Sequence, residues 1–461
     1  MIEMRRAQLS FGDGLITAEV DDLREPWMVH ADAVLADEQL VATVYEALAK
    51  RHPKSRSRGR RGTPAEVVLR LLILKHIRNW SYQALEREGR ANLVYRDFTR
   101  VGAAKMPDAK TMSRWGTALG PQVIAQIHER IVAIAKDKGV VKGRKMRVDT
   151  TVVETNIHYP LQPARRRRAG ADPDHEEDHH DCGWRGYQTA RPQPQREATG
   201  VGAKPGREKL TRAYGQLLSS TSRVVGQAKR FAQDIAAGVK RAGSLSKQLA
   251  LEGMRAEIER MVPLIRQVTK QTRARIFSGD TRSEGKIVSL FEPSTEIIRK
   301  GKASKPTEFG KMVKLQEAEN QIVTAYEVYD RRPSDCDLLI GAIDIHLARL
   351  GRLPRLVAAD AAFYSANNER VAKAKGVKRV CIPNRATKSP ARKREQKKRW
   401  FRQGQKWRTG CEGRISVIKR RHGLNCSRYK GDAGMKRWVG LGVIADNLVN
   451  IGSALDKQEA S

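Results

Sequence analysis

The hydrophobic period of the chain changes at Lys145, and that change constrains the fold more than any other feature. Before it, residues 33–140 carry helical patterning: Leu40, Val41, Val44 and Leu48 share one face, and a second helical run extends from Pro64, suited to a first turn, to Glu88. From Lys145 the pattern is that of a strand, Met146-Arg147-Val148-Asp149-Thr150-Thr151-Val152-Val153, β-branched and bounded by charge. Further strands are predicted at 287–291, 312–316, 322–328, 356–359 and 377–382, with helical runs between them at 338–350 and 367–375. The fold class is therefore mixed α/β behind a helical N-terminal region.

Two stretches interrupt the α/β pattern. Residues 206–272 have sustained helical periodicity, through Leu210, Leu217, Val224, Phe231, Ile258 and Ile265, and predict a helical hairpin inserted after the first strand. Residues 161–200 hold Leu161 and no Ile, Val, Met or Phe, so they have no core face to offer. The run from Asp174 to Cys182 places His175 and His179 at i, i+4, a spacing that can bind metal. Codon logic gives a different account. Shifted by one base, Glu followed by Glu or Asp must yield Lys or Arg, and Asp followed by His must yield Ile or Thr. With permitted codons, residues 169–182 recode as an ordinary amphipathic sequence, which is the expectation for a compensated frameshift over 161–200.

The balance of charge bounds the partner. Across 461 residues, 88 Lys and Arg against 51 Asp and Glu give a net charge of +37, so the surface attracts a polyanion. Nucleic acid is the natural candidate. A membrane partner is not expected, because no apolar run of 18 residues stands out and the N-terminal residues lack a signal-peptide core, so a cytoplasmic location is expected. The five cysteines are scattered and never form a C-x-x-C pair, so neither a disulfide framework nor a zinc site is indicated. The segment 51–61 carries five Arg and fits either a solvated loop or a DNA-tracking arm. Residues 107–115 form a polar turn leading into a helix with Lys110, Thr111, Ser113 and Arg114 in its first turns. This suits the second helix of a helix-turn-helix, although a capped surface helix has the same pattern.

Three carboxylates have the setting that metal-assisted phosphoryl transfer requires, which is acidic ligands converging from separate elements. Asp149 lies on the first strand, Asp360 follows the strand 356–359, and Glu412 opens the helical stretch Glu412-Gly413-Arg414-Ile415-Ser416-Val417-Ile418-Lys419. Any one of them alone would be an ordinary turn or cap residue. Glu154, five residues beyond Asp149, falls on the opposite face of a continuing strand and is left out. Trp400, Phe401 and Trp407 are candidates for stacking on an unpaired base, or for the core.

In these motifs the chain resembles bacterial insertion-sequence DDE transposases with an InsH-type N-terminal domain ahead of an RNase H-like catalytic domain. The family's first Asp is matched at Asp149, and its second within Ala359-Asp360-Ala361-Ala362-Phe363-Tyr364. Its Tyr-x2-Arg-x3-Glu-x6-Lys signature is matched at Arg408, Glu412 and Lys419, with Gln405 in the Tyr position. The resemblance implies a helical DNA-binding domain over 1–140, a first catalytic strand in 141–160, the irregular segment 161–205, the helical insertion 206–272, and the rest of the catalytic domain in 273–455. It further implies binding of terminal inverted repeats, with strand cleavage and transfer by Asp149, Asp360 and Glu412 holding Mg²⁺ (or Mn²⁺). Arg408 and Lys419 would lie on DNA phosphates, and a homodimer would act on paired ends in the nucleoid. A DNA-binding remnant without transposition activity, or a metal-dependent nuclease that does not join strands, are the competing expectations.

Overall fold

A computed structural model describes residues 2–6, 10–51, 53–56, 61–157, 206–299 and 307–460. The segment 161–200, with its frameshift and metal-run readings, and most of the basic stretch 57–61 lie outside the described residues. The chain divides into two compact units, Met1–Ile157 with Ser294–Ser461, and His158–Pro293.

The first unit begins with seven helices: α1 (Phe11–Val20), α2 (Pro26–Leu35), α3 (Glu38–Arg51), α4 (Ala65–Ile77), α5 (Tyr82–Ala91), α6 (Leu93–Phe98) and α7 (Ala109–Asp137). Ser10, Ser81, Asn92 and Asp108 cap four of them, each side chain accepting from a backbone N–H that the helix itself leaves unbonded. α4 is buried on every side, and accordingly is apolar nearly all round.

The strand β1 (Lys145–Thr155) follows. The second unit then supplies α8 (Arg207–Ala236) and α9 (Leu245–Phe277), a helical pair whose bounds follow the periodicity in the sequence. The predicted strand at 287–291 does not form. There the Gln271 side chain bonds both the N–H and the C=O of Ile287 at 3.0 and 2.6 Å, occupying the groups that a sheet partner would need. A strand that patterning did not predict, β2 (Glu296–Arg299), lies just beyond.

The rest of the sheet is β3 (Thr307–Glu317), β4 (Val323–Val328), β5 (Leu356–Ala359), β6 (Arg379–Cys381) and β7 (Cys426–Ser427). Its helices are α10 (Leu338–Leu350), α11 (Ala366–Ala374), α12 (Pro390–Lys397), α13 (Arg399–Arg421) and α14 (Gly431–Glu459). The order is β2-β3-β1-β5-β6, with β4 also on β3 and β7 also on β1. β1 is the pivot: antiparallel to β3, parallel to β5, and long enough to serve both. Met146, Val148 and Val152 pack with Val357, Leu339 and Ile343 on the side of α10 and α11. Val153, Val313 and Leu315 pack with Ile418, Trp438 and Val439 of α13 and α14.

α14 reaches both the sheet and the N-terminal helices, where its Leu441, Ile444, Leu448 and Ile451 join the core of α2, α3, α4 and α7. It is the one helix among the described residues long and apolar enough to cross a membrane, which corrects the expectation that no such run exists. The apolar window is 72% buried, as a core helix must be. Asn447, on this helix, accepts from the Val323 N–H at 2.8 Å and donates to the Val323 C=O at 2.9 Å, satisfying the start of β4.

His128 of α7 donates from Nε2 to the same Val323 carbonyl at 2.9 Å, while its Nδ1 faces Arg349. Burial and the neighbouring guanidinium push its pKa down from 6.5 to about 3, so the folded protein holds it neutral. A histidine lowered on folding binds more protons when unfolded, so the stability it contributes is complete above pH 6.5 and declines as pH falls toward 3. His128→Gln keeps a donor for the carbonyl but cannot titrate. It is expected to lose less melting temperature than the parent between pH 7 and 5 in thermal denaturation. Equal losses would show that His128 does not contribute to acid sensitivity.

Candidate active site

Strand register brings the first two carboxylates together. β1 and β5 run parallel with Val148 opposite Ala359, so Asp149 on β1 and Asp360, the first residue beyond β5, follow that pair side by side. Each carboxylate accepts from the N–H that follows it, Asp149 from Thr150 at 2.8 Å and Asp360 from Ala361 at 2.7 Å, which orients both side chains. The third carboxylate, Glu412, comes from α13 across the same edge. All three line a cleft of about 660 Å³, together with Lys419 and Arg420.

Arg408 ties the helix to the strand. Its guanidinium is 2.8 Å from Glu412 and 3.7 Å from Asp149. Burial raises the Asp149 carboxyl to about 6, the Thr150 N–H and Arg408 pull against that rise, and Asp360 and Glu412 add to it. That pattern is the electrostatic signature of three acids sharing one cleft with one cation among them.

The donor set is all oxygen and all carboxylate, which fits a hard divalent cation such as Mg²⁺. Among the described residues no three acidic, histidine or cysteine side chains close into a ready-made ion cage. Arg408 accounts for this here, because it engages Glu412. The Glu412 side chain is 59% exposed against 15% for Asp149, so its pairing is weak and open to exchange.

Several contributors carry no motif. Asp335 accepts from the Thr150 hydroxyl at 2.9 Å and lines the cleft as a further acid; in sequence it is a cap-like residue ahead of α10. Arg147, two residues before Asp149 and so on the same strand face, is buried and paired with the buried Glu317, its cross-strand partner on β3. The same guanidinium donates to the Trp407 carbonyl and lies 4.9 Å from the Trp407 ring centre, thereby seating α13 against β1. Strand alternation was the available signal for Arg147. Gln405, in place of the signature Tyr, donates to the Cys381 carbonyl at 2.7 Å and seats α13 on β6. Phe401 is buried in the core, and Trp400 and Trp407 pack half-buried against the same cluster.

Away from the cleft, Lys110 and Arg114 are exposed in the first turns of α7 and Ser113 is half-buried. The Thr111 hydroxyl is bonded to Asp108 at 2.8 Å as part of the cap.

Residues 28–118 match the model of a family described as Transposase domain (DUF772), and residues 368–451 match that of the Transposase DDE domain. The two matches support an insertion-sequence DDE transposase. No curated protein and no solved structure matches the chain significantly. The transposase is thus a metal-dependent enzyme with a helical N-terminal region and an RNase H-like mixed-sheet catalytic domain. The first match takes in Lys110 to Arg114, and the second takes in Arg408, Glu412 and Lys419.

The seating of α13 depends on Gly410. A Cβ there would come within 2.5 Å of the Arg147 guanidinium, which is held on both sides and has little room to yield. Gly410→Ala should destabilise the transposase by about 1–3 kcal/mol through overpacking. In an Arg147→Ala background the same change should cost almost nothing, because the clashing group is gone. Urea denaturation of the four proteins in this cycle checks the coupling, and additive effects would remove Arg147 as the reason for the glycine.

Proposed function

We propose that the transposase binds the terminal inverted repeats of its element as double-stranded DNA, cleaves a phosphodiester at the element's end, and uses the freed 3′-hydroxyl to attack target DNA. The observation that carries this reading is the adjacency of Asp149 on β1 and Asp360 just beyond the parallel β5, with Glu412 lining the same cleft from α13. Lys419 and Arg420 at that cleft are suited to the non-bridging oxygens of the scissile phosphate, where negative charge grows in the transition state. Arg408 has two roles: it compensates the acids before DNA arrives and turns to a phosphate afterwards.

Asp149, Asp360 and Glu412 would hold Mg²⁺, with Mn²⁺ as the usual substitute. When bound, such ions supply activation of the attacking oxygen and charge stabilisation at the leaving one. The chain's own part is to fix three carboxylates from three elements and to hold the phosphate with cations. Recognition of the repeats is assigned to the start of α7, where Lys110, Ser113 and Arg114 meet the DNA and Thr111 acts through the cap it forms with Asp108. Two copies acting on paired ends, in the nucleoid of the bacterial cytoplasm, complete the reading.

Asp149→Asn, Asp360→Asn and Glu412→Gln should each lower Mg²⁺-dependent cleavage on the order of a hundredfold or more, because loss of one ligand forfeits several kcal/mol of transition-state stabilisation. Duplex binding should survive in all three. The assay uses a plasmid carrying the sequences that flank the gene, with nicking and strand joining followed on gels. A variant that cleaves at the parent rate would remove its residue from the triad, and cleavage without joining in the parent would make the protein a nuclease.

A further inference from the structure

The helical pair of the second unit has its own groove, apart from the catalytic cleft. Two adjoining hollows of about 830 and 620 Å³ run between α8 and α9 and share Ser222, Arg273 and Ser278. Five cations line them, Arg223 and Lys229 from α8 and Arg266, Lys270 and Arg273 from α9, and no acidic residue does. Gly215, Ser219, Ser222 and Gly226 form the α8 wall at i, i+4, i+7 and i+11, and an added Cβ at either glycine would meet nothing within 4 Å. The wall is low, so a ligand's backbone can come close.

Charge pairing along α9 changes partway. Its first half couples each of two arginines to glutamates: Arg255 lies 2.8 Å from Glu252 and 3.5 Å from Glu259, and Arg260 lies 2.5 Å from Glu257. Beyond Arg260, Arg266, Lys270 and Arg273 follow at i, i+4 and i+7 on one face, and no carboxylate is within ion-pair distance of any of them among the described residues. Arg223 and Lys229 opposite are equally unpaired. Like charges at these spacings destabilise a helix, so the row is unfavourable until an anion lies along it. The α9 cations span about 10 Å at 1.5 Å per residue, roughly three phosphates at 3.4 Å of axis per strand.

We propose that the groove between α8 and α9 is a second nucleic-acid contact that tracks the phosphate backbone of duplex DNA, separate from the catalytic cleft. An open hollow with point charges at intervals and no acidic residue along it matches a repeating polyanion better than a compact ligand. The proposal rests on the DNA-acting reading above, and its test separates the two.

Full-length protein is titrated against fluorescent duplex DNA over a range of salt concentrations. Arg266→Gln/Lys270→Gln/Arg273→Gln should reduce the salt slope by about 3, close to one per lost phosphate contact, and weaken binding roughly tenfold or more at physiological salt. Arg255→Gln/Arg260→Gln, on the same helix but already paired, should leave the slope unchanged. Arg266→Lys/Arg273→Lys, which keeps the charge, should retain it. An unchanged slope in the triple variant overturns the groove, as does an equal loss in the paired control or in the charge-keeping variant. A parent that binds single-stranded DNA or RNA through these residues in preference to duplex also overturns it. If the parent binds duplex and cleaves while the triple variant binds as well as the parent, only the groove falls. If the parent binds no duplex at all, the functional reading falls with it.

Discussion

The position of α13 depends on one buried guanidinium. Arg147 lies on β1 between Glu317 of the neighbouring strand and the Trp407 carbonyl of α13, so one side chain joins the strand that carries Asp149 to the helix that carries Glu412. A buried ion pair is weak evidence for stability, because desolvation offsets much of the attraction. Its value lies in register. An arginine with its fork used on both sides, stacked on Trp407 and passing over Gly410, admits few arrangements of helix against strand. The Gln405 amide makes a second tie two strands away, at Cys381 of β6. With two such ties a 23-residue helix is fixed in both rotation and translation, which a site with ligands on separate elements requires.

The electrostatics of the cleft follow from that seating. Three carboxylates that would repel one another in a partly buried place are tolerated because Arg408 stands beside two of them, yet Asp149 still rises to about 6. The protein therefore stores acid-acid repulsion that a multivalent cation would relieve. The arrangement also explains why no closed ion cage exists among the described residues: the compensating charge comes from a helix side chain one turn from Glu412. An exposed pair of this kind is worth little and is readily exchanged.

Much of this was legible in the sequence, for identifiable reasons. Asp149, Asp360 and Glu412 stood out because each sits at a change of local pattern, and the register of β1 on β5 brings the first two side by side. The helical insertion was legible because its periodicity is long and unbroken. The strand at 287–291 was misread because β-branched content was weighed without Gln271, whose amide takes the backbone bonds of Ile287. Asp335, Glu317 and Gly410 were illegible because their roles exist only across the fold: one accepts from a threonine on β1, one pairs an arginine through sheet register, and one is defined by what a Cβ would strike. The apolar composition of α14 comes from its buried faces on two cores.

The same division between local and cross-fold information governs the charge. A net charge of +37 says that a polyanion is the partner but not where it lies. Many of the arginines are not on offer: Arg70 is buried against Asp32 and Glu66, Arg130 is held by Asp37, Arg392 by Glu369 and Glu395, and Arg414 by Asp446. These cations join helices and strands, and their positive charge is largely spent inside the protein. What remains for DNA is the residue of that sorting, and it is uneven. It collects at Arg420 beside the acids, at Lys110 and Arg114 on the first turns of α7, and along α9 after Arg260, where the glutamate partners stop. In a chain with so large an excess of cations, the absence of a carboxylate partner discriminates between surfaces better than the presence of a lysine or arginine does.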